Sequence, residues 1–482
     1  MLFNSIDFAI FLPVVFVVYW FIANKDLKLQ NLLVSVASYV FYGWWDWRFL
    51  LLIFFSTSVD YLVGLRLAKE KKLLKRRILL WLSIIVNLGL LGFFKYYNFF
   101  LDNFISAFSF FGMQINARSL NIILPVGISF YTFQTLSYTI DIYKNKIKPT
   151  SDFISFAAFV CFFPQLVAGP IERASSLLPQ FQKKRVFDYS KAVDGSRQIL
   201  WGLLKKIVIA DNAAVIVNDV FSHSGDFNGL TLFIGINFFI FQLYGDFSGY
   251  SDIAIGTARL FGVNLMQNFA HPLFSRSIPE LWRRWHISLT TWFRDYLFVP
   301  LMRKLPINNL TKILSIFILF TVIGFWHGAS WKFIFWGSYL GLIFLPSLFF
   351  RKERMTSVIA KGKIIPTFKE VYQNIRTFEL FAIAMIFFRA ESYDQIFVFF
   401  DKIFSLSIFE IPDFSNNVFA LKTLIIITIF MIIEWFGREQ KYAIEKLGLK
   451  WRKNYRYAMY YIIVIVIFWF AGQQQEFIYF QF

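Results

Sequence analysis

The chain has 482 residues, of which 57% are hydrophobic, 21% aromatic and only 16% charged, and its formal net charge is +19. A soluble chain carries about one quarter charged residues, so this composition excludes a soluble enzyme. The basic excess is that of Lys and Arg gathered in cytoplasmic loops beside anionic membrane lipids, not of a nucleic-acid-binding surface. No Walker A pattern, zinc-ligand spacing or nucleic-acid-binding signature occurs. The single cysteine, Cys161, excludes an intrachain disulfide and a CxxC site, and reads as a packed thiol.

Apolar stretches recur from end to end and predict membrane spans near 6–23, 31–45, 49–64, 78–94, 121–140, 153–168, 198–220, 229–246, 313–327, 331–350, 377–388, 417–435 and 457–472. Several are short of the ~20 residues that cross a bilayer as a helix. The expectation is an all-α, polytopic membrane protein with about eleven full crossings, the remaining segments being re-entrant or interfacial. No polar stretch is long enough for a separate soluble domain, so 1–482 reads as one membrane-embedded domain with C-terminal helices in 351–482.

The first stretch, "IDFAIFLPVVFVVYWFIA", follows no basic region, carries Asp7 and lacks a small-residue cleavage site, and so reads as a retained span. Basic clusters after spans one, three and five (Lys25 and Lys28; "RLAKEKKLLKRR"; "KNKIK") place the N-terminus outside and the clusters in the cytoplasm. The next cluster, "QKKR" at 182–185, keeps that alternation only if 153–168 does not cross. Pro164 and "AGP" at 168–170 favour a re-entrant segment there. No internal repeat is visible, which weighs against an inverted-repeat transporter.

The middle of the chain is more polar. "FQLYGDFSGYSDIAIG" sets Asp246, Ser248, Ser251 and Asp252 straight after an apolar run. Carboxylates at that depth face protein or a watery cavity. They serve either as caps and interhelical hydrogen bonds or as the wall of a polar tunnel. Asp246 and Asp252 are six residues apart and do not share one helical face, so neither a carboxylate pair nor a metal site is expected. In "ELWRRWHISLTTWFRDYLFVPL", 280–301, a helical wheel gathers Trp282, Trp285, Leu289, Trp292, Phe293 and Tyr296 on one face, with His286 at its edge. Arg283, Arg284, Thr291, Arg294 and Asp295 fall elsewhere, with Ile287 as an apolar exception. This predicts one interfacial amphipathic helix, its aromatic side toward lipid or protein and its basic side toward the cytoplasm, where the arginines meet headgroups.

The chain has four histidines. His223 lies in a polar loop, and His271, before Pro272, reads as a turn residue. His286 and His327 each follow a tryptophan near a membrane boundary. "GFWHG" around His327 matches the small-residue spacing of close helix packing, as do "GDFSG" and "GSYLG". The same ring, kept neutral by burial, can accept a proton near neutral pH. From the residues alone, packing and catalysis both stand open for His327.

Taken together and in order, "FYGWWDWRF", "LPVGISFYTFQTLSYTIDIY", "FFPQLVAGPIER", "QLYGDFSGYSDIAIGTARLFG", "ELWRRWHISLTTWFRDYLFVPL", "GFWHGASWKFIFWG" and the later "IFFRAES" resemble the membrane-bound O-acyltransferases, in their bacterial alginate O-acetylation branch. Agreement is best between Leu124 and Gly337. The resemblance implies helices around a tunnel, with an acyl donor entering from the cytoplasm and a hydroxyl acceptor from another opening. It maps the two signature histidines of the family onto His286 and His327, the latter at the catalytic position. It implies acetyl-CoA or another acyl thioester as donor substrate, with no bound cofactor or metal. Arg283, Arg284 and Trp285 would meet the donor, and Asp246, Ser248 and Trp326 would line the tunnel. The implied activity is O-acetylation of an exported polysaccharide from the bacterial cytoplasmic membrane, completed by an extracytoplasmic acyltransferase partner. D-alanyl transfer to an envelope polymer is the nearby alternative, and a flippase the more distant one.

Overall fold

The computed structural model describes residues 1–115, 117–306, 308–349, 357–472 and 475–478. The last residue of the expected span 331–350, and both ends of the expected C-terminal segment 351–482, lie outside the described residues. Every regular element among the described residues is helical. The chain resolves into two compact units, 1–192 with 257–266 and 193–256 with 267–482.

In the first unit the helices are α1 Ile6–Val17, α2 Leu27–Asp46, α3 Leu50–Lys69, α4 Leu73–Leu91, α5 Tyr97–Phe110, α6 Ile128–Tyr143, α7 Phe153–Cys161, α8 Phe163–Leu166 and α9 Ala174–Phe181. Their ends follow from capping residues. Ser5 Oγ accepts from Phe8 N at 3.2 Å, and the Asp26 carboxylate accepts from Lys28 N and Leu29 N. Asp46 accepts from Arg48 N at 2.9 Å and so separates α2 from α3.

Polarity in this unit is inverted relative to a soluble protein. Ile6, Phe21 and Leu51 are 80%, 77% and 72% exposed, whereas Asp60, Ser83 and Asn87 are buried. Ser83 Oγ donates to Asp60 Oδ1 at 2.5 Å, and Asn87 Nδ2 to Asp60 Oδ2 at 2.8 Å. In lipid, apolar side chains are solvated by the bilayer and polar ones must find protein partners. Helix α7 is nine residues long, about 14 Å at the usual rise, under half of a ~30 Å hydrocarbon core. Phe156, Phe159, Phe162 and Phe163 are all buried. The segment 153–168 thus has the length and burial expected of a re-entrant segment. Cys161 is buried, as its surroundings suggested.

The second unit takes up α10 (Tyr189–Leu204) from residue 193, then a wide π-helical turn at Lys205–Ala210 and α11 Asp211–Ser222. It includes α12 (Gly229–Leu260) up to residue 256, then α13 Ile278–Arg284, α14 Ile287–Phe293, α15 Val299–Met302, α16 Asn309–His327, α17 Trp331–Phe344 and α18 Pro346–Phe349. It ends with α19 Phe368–Arg389, α20 Tyr393–Ile403, α21 Asn417–Gly437 and α22 Lys453–Trp469. Glycines permit close helix contacts in it. A Cβ on Gly324 would stand 2.2 Å from Phe333 O, and one on Gly337 would stand 2.3 Å from Phe320 O, so α16 and α17 touch backbone to backbone. A Cβ on Gly249 would stand 2.8 Å from Gly202 O, and one on Gly245 would stand 2.9 Å from Lys205 O. The glycine spacings in "GFWHG", "GDFSG" and "GSYLG" therefore do mark helix packing.

Among the described residues, seven stretches are long and apolar enough to cross a membrane: 6–25, 27–69, 73–110, 229–260, 309–327, 331–349 and 417–437. The second of these holds both α2 and α3, each of 20 residues. Expected spans near 121–140, 198–220, 377–388 and 457–472 are occupied by α6, α10 with α11, α19 and α22. Gly337→Ala should lower stability by about 1–3 kcal/mol through overpacking, read as a lower thermal midpoint in detergent. Gly89→Ala meets nothing within 4 Å and should leave that midpoint unchanged or slightly raised.

Candidate active site

The segment from Asn268 to Ser288 interrupts regular helix with two left-handed residues. Of the non-glycine residues described, only Asn145, His271, His286 and Ala360 have positive φ, and the two histidines stand at +48° and +44°. Such conformations persist where surrounding contacts enforce them. Here Ala270 N donates to Arg284 O and Ile287 N to Asn268 O, both at 2.9 Å. The single helix expected over 280–301 is therefore corrected. It breaks at His286 into α13 and α14, then passes through a π-helical turn at Arg294–Phe298 into α15. The reason is that segment 268–270 supplies the backbone partners, which lets His286 take a left-handed conformation. The grouping of the aromatic residues survives the break: Trp282, Trp285, Leu289, Trp292 and Phe293 are all buried in protein.

His286 is 1% exposed. Its Nδ1 lies 3.1 Å from Asn268 Oδ1, and the Phe247 ring meets it edge-on at 4.6 Å between centroids. Burial pushes its imidazole down to about 3. The Trp326 ring lies 6.3 Å from His286 and 4.8 Å from His327. His327 ends α16, and Gly328 turns the chain toward α17, whose N-cap Ser330 accepts from Lys332 N. The Trp336 and Phe388 rings close on His327 at 5.0 and 5.5 Å. His286, Trp326 and His327 thus form one buried row, contributed by the α13–α14 break and the end of α16.

Beside the row lies a cluster of ionisable groups. The Lys205 ammonium pairs with Asp252 and donates to Ser248 Oγ at 2.9 Å. Lys206 reaches both Asp246 and Asp211 at 2.8 Å, and Asp246 also accepts from Ile478 N at 2.7 Å. His271 Nδ1 stands 2.6 Å from Glu434 Oε2, which also accepts from Tyr244 Oη at 2.9 Å. Trp201 Nε1 reaches the other Glu434 oxygen at 3.1 Å. Lys205, Tyr244, Ser248, Asp252, His271 and Glu434 line a small cavity that Asn268 also borders.

The other expected site residues divide. Ser248 borders the cavity, whereas Asp246 is taken up by Lys206. Trp285 packs on Phe269, Phe381 and Tyr244 at 5.2, 5.2 and 6.2 Å. Arg284 is held by Glu280 at 3.0 Å and by Ala270 O at 3.2 Å, while Arg283 is exposed. Among the described residues, no group of three or more His, Cys, Asp or Glu side chains is placed to hold a metal ion.

The membrane-bound O-acyltransferase family model matches residues 49–388, which include both histidines. The chain belongs to this family. It is 36% identical over 446 residues to "Probable alginate O-acetylase AlgI" of Pseudomonas aeruginosa, covering 92% of this chain and 82% of that protein. It is 31% identical to "Peptidoglycan O-acetyltransferase" of Helicobacter pylori, covering 100% and 98%. Similarity to "Teichoic acid D-alanyltransferase" of Bacillus subtilis is 30% over 243 residues, covering 48% of this chain and 61% of that one. The protein is a polytopic membrane O-acyltransferase.

Several residues of this O-acyltransferase's interior escaped the sequence reading: Lys205, Lys206, Asn268 and Glu434, together with the paired state of His271. A signal existed for three of them. "LLKKIVIA" and "IIEWFG" put charge inside predicted spans, and an ionisable group there calls for a partner. Nothing local marked Asn268, whose contacts come from residues about 20 positions away.

The buried His286 ring gives a pH test. An exposed imidazole titrates near 6.5 and this one near 3, so between those values the unfolded chain binds a proton that the native chain does not. The stability of the wild type relative to His286→Gln should fall as pH drops through that window. Paired thermal melts measure it, and a pH-independent difference contradicts the buried, neutral ring.

Proposed function

We propose that this acyltransferase carries an acetyl group from a cytoplasmic thioester, acetyl-CoA or a relative of it, to a hydroxyl of an exported or cell-surface polysaccharide. In this reading it works in the bacterial cytoplasmic membrane with its N-terminus outside. An extracytoplasmic acyltransferase completes transfer onto the polymer. The observation that carries the proposal is the buried row His286–Trp326–His327 in a chain whose relatives of near-full-length overlap are named for O-acetyl transfer.

In the proposed chemistry the acceptor oxygen attacks the thioester carbonyl carbon while His327 accepts the hydroxyl proton. The new C–O bond forms, the C–S bond breaks and the proton leaves with the thiolate as thiol. General base catalysis of this kind contributes about 10²- to 10⁴-fold. The aromatic wall around His327 excludes water that would hydrolyse the thioester. His286 orients the donor. Arg283 is exposed and would attract donor phosphates, whereas Arg284 is also engaged by Glu280 and the Ala270 carbonyl.

D-alanyl transfer from a carrier-bound thioester is the second reading, favoured by the similarity to the teichoic acid D-alanyltransferase over about half of the chain. It would use the same histidines.

His327→Gln at matched membrane abundance should reduce polymer O-acetylation by at least about 100-fold, within the range of a lost general base. The measurement is ester-linked acetate released from purified polymer. Near wild-type acetate would remove His327 from catalysis, and ester-linked D-alanine in place of acetate would favour the second reading.

A further inference from the structure

Asn268 has no role in the chemistry above, yet it makes four contacts with the His286 segment. Its backbone carbonyl accepts from Ile287 N at 2.9 Å. Its side-chain Oδ1 accepts from Ser288 N at 3.3 Å and from Ser288 Oγ at 2.9 Å, and faces His286 Nδ1 at 3.1 Å. Its Nδ2 donates to Ser251 Oγ on α12 at 3.1 Å.

These contacts fix which way the amide points. A backbone N–H only donates, so the Asn268 atom facing Ser288 N is the oxygen. The reversed amide would set an NH2 group against an N–H. The same oxygen faces His286 Nδ1, so Nδ1 carries a hydrogen. A neutral imidazole has one N–H and one lone pair, which leaves the lone pair on Nε2. The ring is also kept from turning over, with Phe247 edge-on at 4.6 Å and Phe269 nearly parallel at 6.4 Å.

We infer that Asn268 is a positioning residue that holds His286 as the Nδ1–H tautomer and makes Nε2 the proton-accepting atom of the ring. Outer contacts of this type commonly set which nitrogen of a functional histidine is basic. Here Asn268 does so while holding the backbone that gives His286 its positive φ. The inference rests on the reading that His286 takes part in acyl transfer. A group oriented or deprotonated by His286 then meets Nε2.

The test uses the full-length protein in nanodiscs with ¹⁵N-labelled histidine. With four histidines in the chain, the spectrum is simple, and His286→Gln assigns the His286 signals. Long-range ¹H–¹⁵N spectra of the wild type should show His286 protonated at Nδ1 with a pyridine-like Nε2. Asn268→Leu should shift that signature toward the other tautomer or a mixture. It should also lower kcat by about 10- to 100-fold, the usual cost of losing such an outer contact, with a smaller change in KM for the thioester. Asn268→Asp keeps an oxygen acceptor and should recover most of kcat. A wild-type His286 protonated at Nε2 overturns the inference, as does Asn268→Leu with unchanged tautomer and turnover. If Asn268→Leu does not fold, the wild-type spectrum decides alone. Full turnover by His286→Gln would instead defeat the reading of His286 as functional, a separate outcome from the tautomer result.

Discussion

The second unit is organised by the need to pair two buried lysines. Lys205 and Lys206 are 3% and 7% exposed at the wide turn between α10 and α11. A buried ammonium without a partner is far too costly to keep charged. Asp252 and Asp246, both on α12, supply the opposite charge. That pairing requires the two backbones to approach closely, which Gly202, Gly245 and Gly249 permit. With α12 fixed, Phe247 is set against His286, Tyr244 against Glu434 and Trp285, and Ser251 against Asn268. The geometry around His286 thus depends on ion pairs made by Asp246 and Asp252, the sequence neighbours of Phe247 and Ser251.

A second contact, independent of the first, sets the other histidine. Gly324 and Gly337 bring α16 and α17 into backbone contact, and the tight turn between these helices carries His327. Packing and catalysis were competing explanations of "GFWHG", and both apply. The glycines make the helix contact, and that contact holds His327 among Trp326, Trp336 and Phe388. His286 and His327 therefore meet the same aromatic column from different elements.

Much of this was legible in the sequence because it is written in local patterns. Helical class, membrane residence, the short 153–168 segment and the two histidines follow from apolar runs, prolines and ordered motifs. What was not legible depends on contacts distant along the chain. A helical wheel over 280–301 assumes unbroken 3.6-residue periodicity, and no residue there announces the break at His286. Backbone groups of 268–270 impose it. Asp246 was read as capping, hydrogen bonding or tunnel wall, and its actual partner, Lys206, stands 40 residues earlier. His271 read as a turn residue, which its positive φ supports, yet its ring also pairs with Glu434, far along the chain.

The proposed acyl transfer consumes a thioester at the centre containing His286 and His327. The most direct measurement is thiol release from acetyl-CoA by purified protein in proteoliposomes, with the extracytoplasmic acyltransferase and a polysaccharide acceptor on the opposite side. One thiol should be released per acetyl ester formed, and release should be abolished in the double variant His286→Gln/His327→Gln. Acceptor translocation without thiol release, or undiminished release by the double variant, would contradict it.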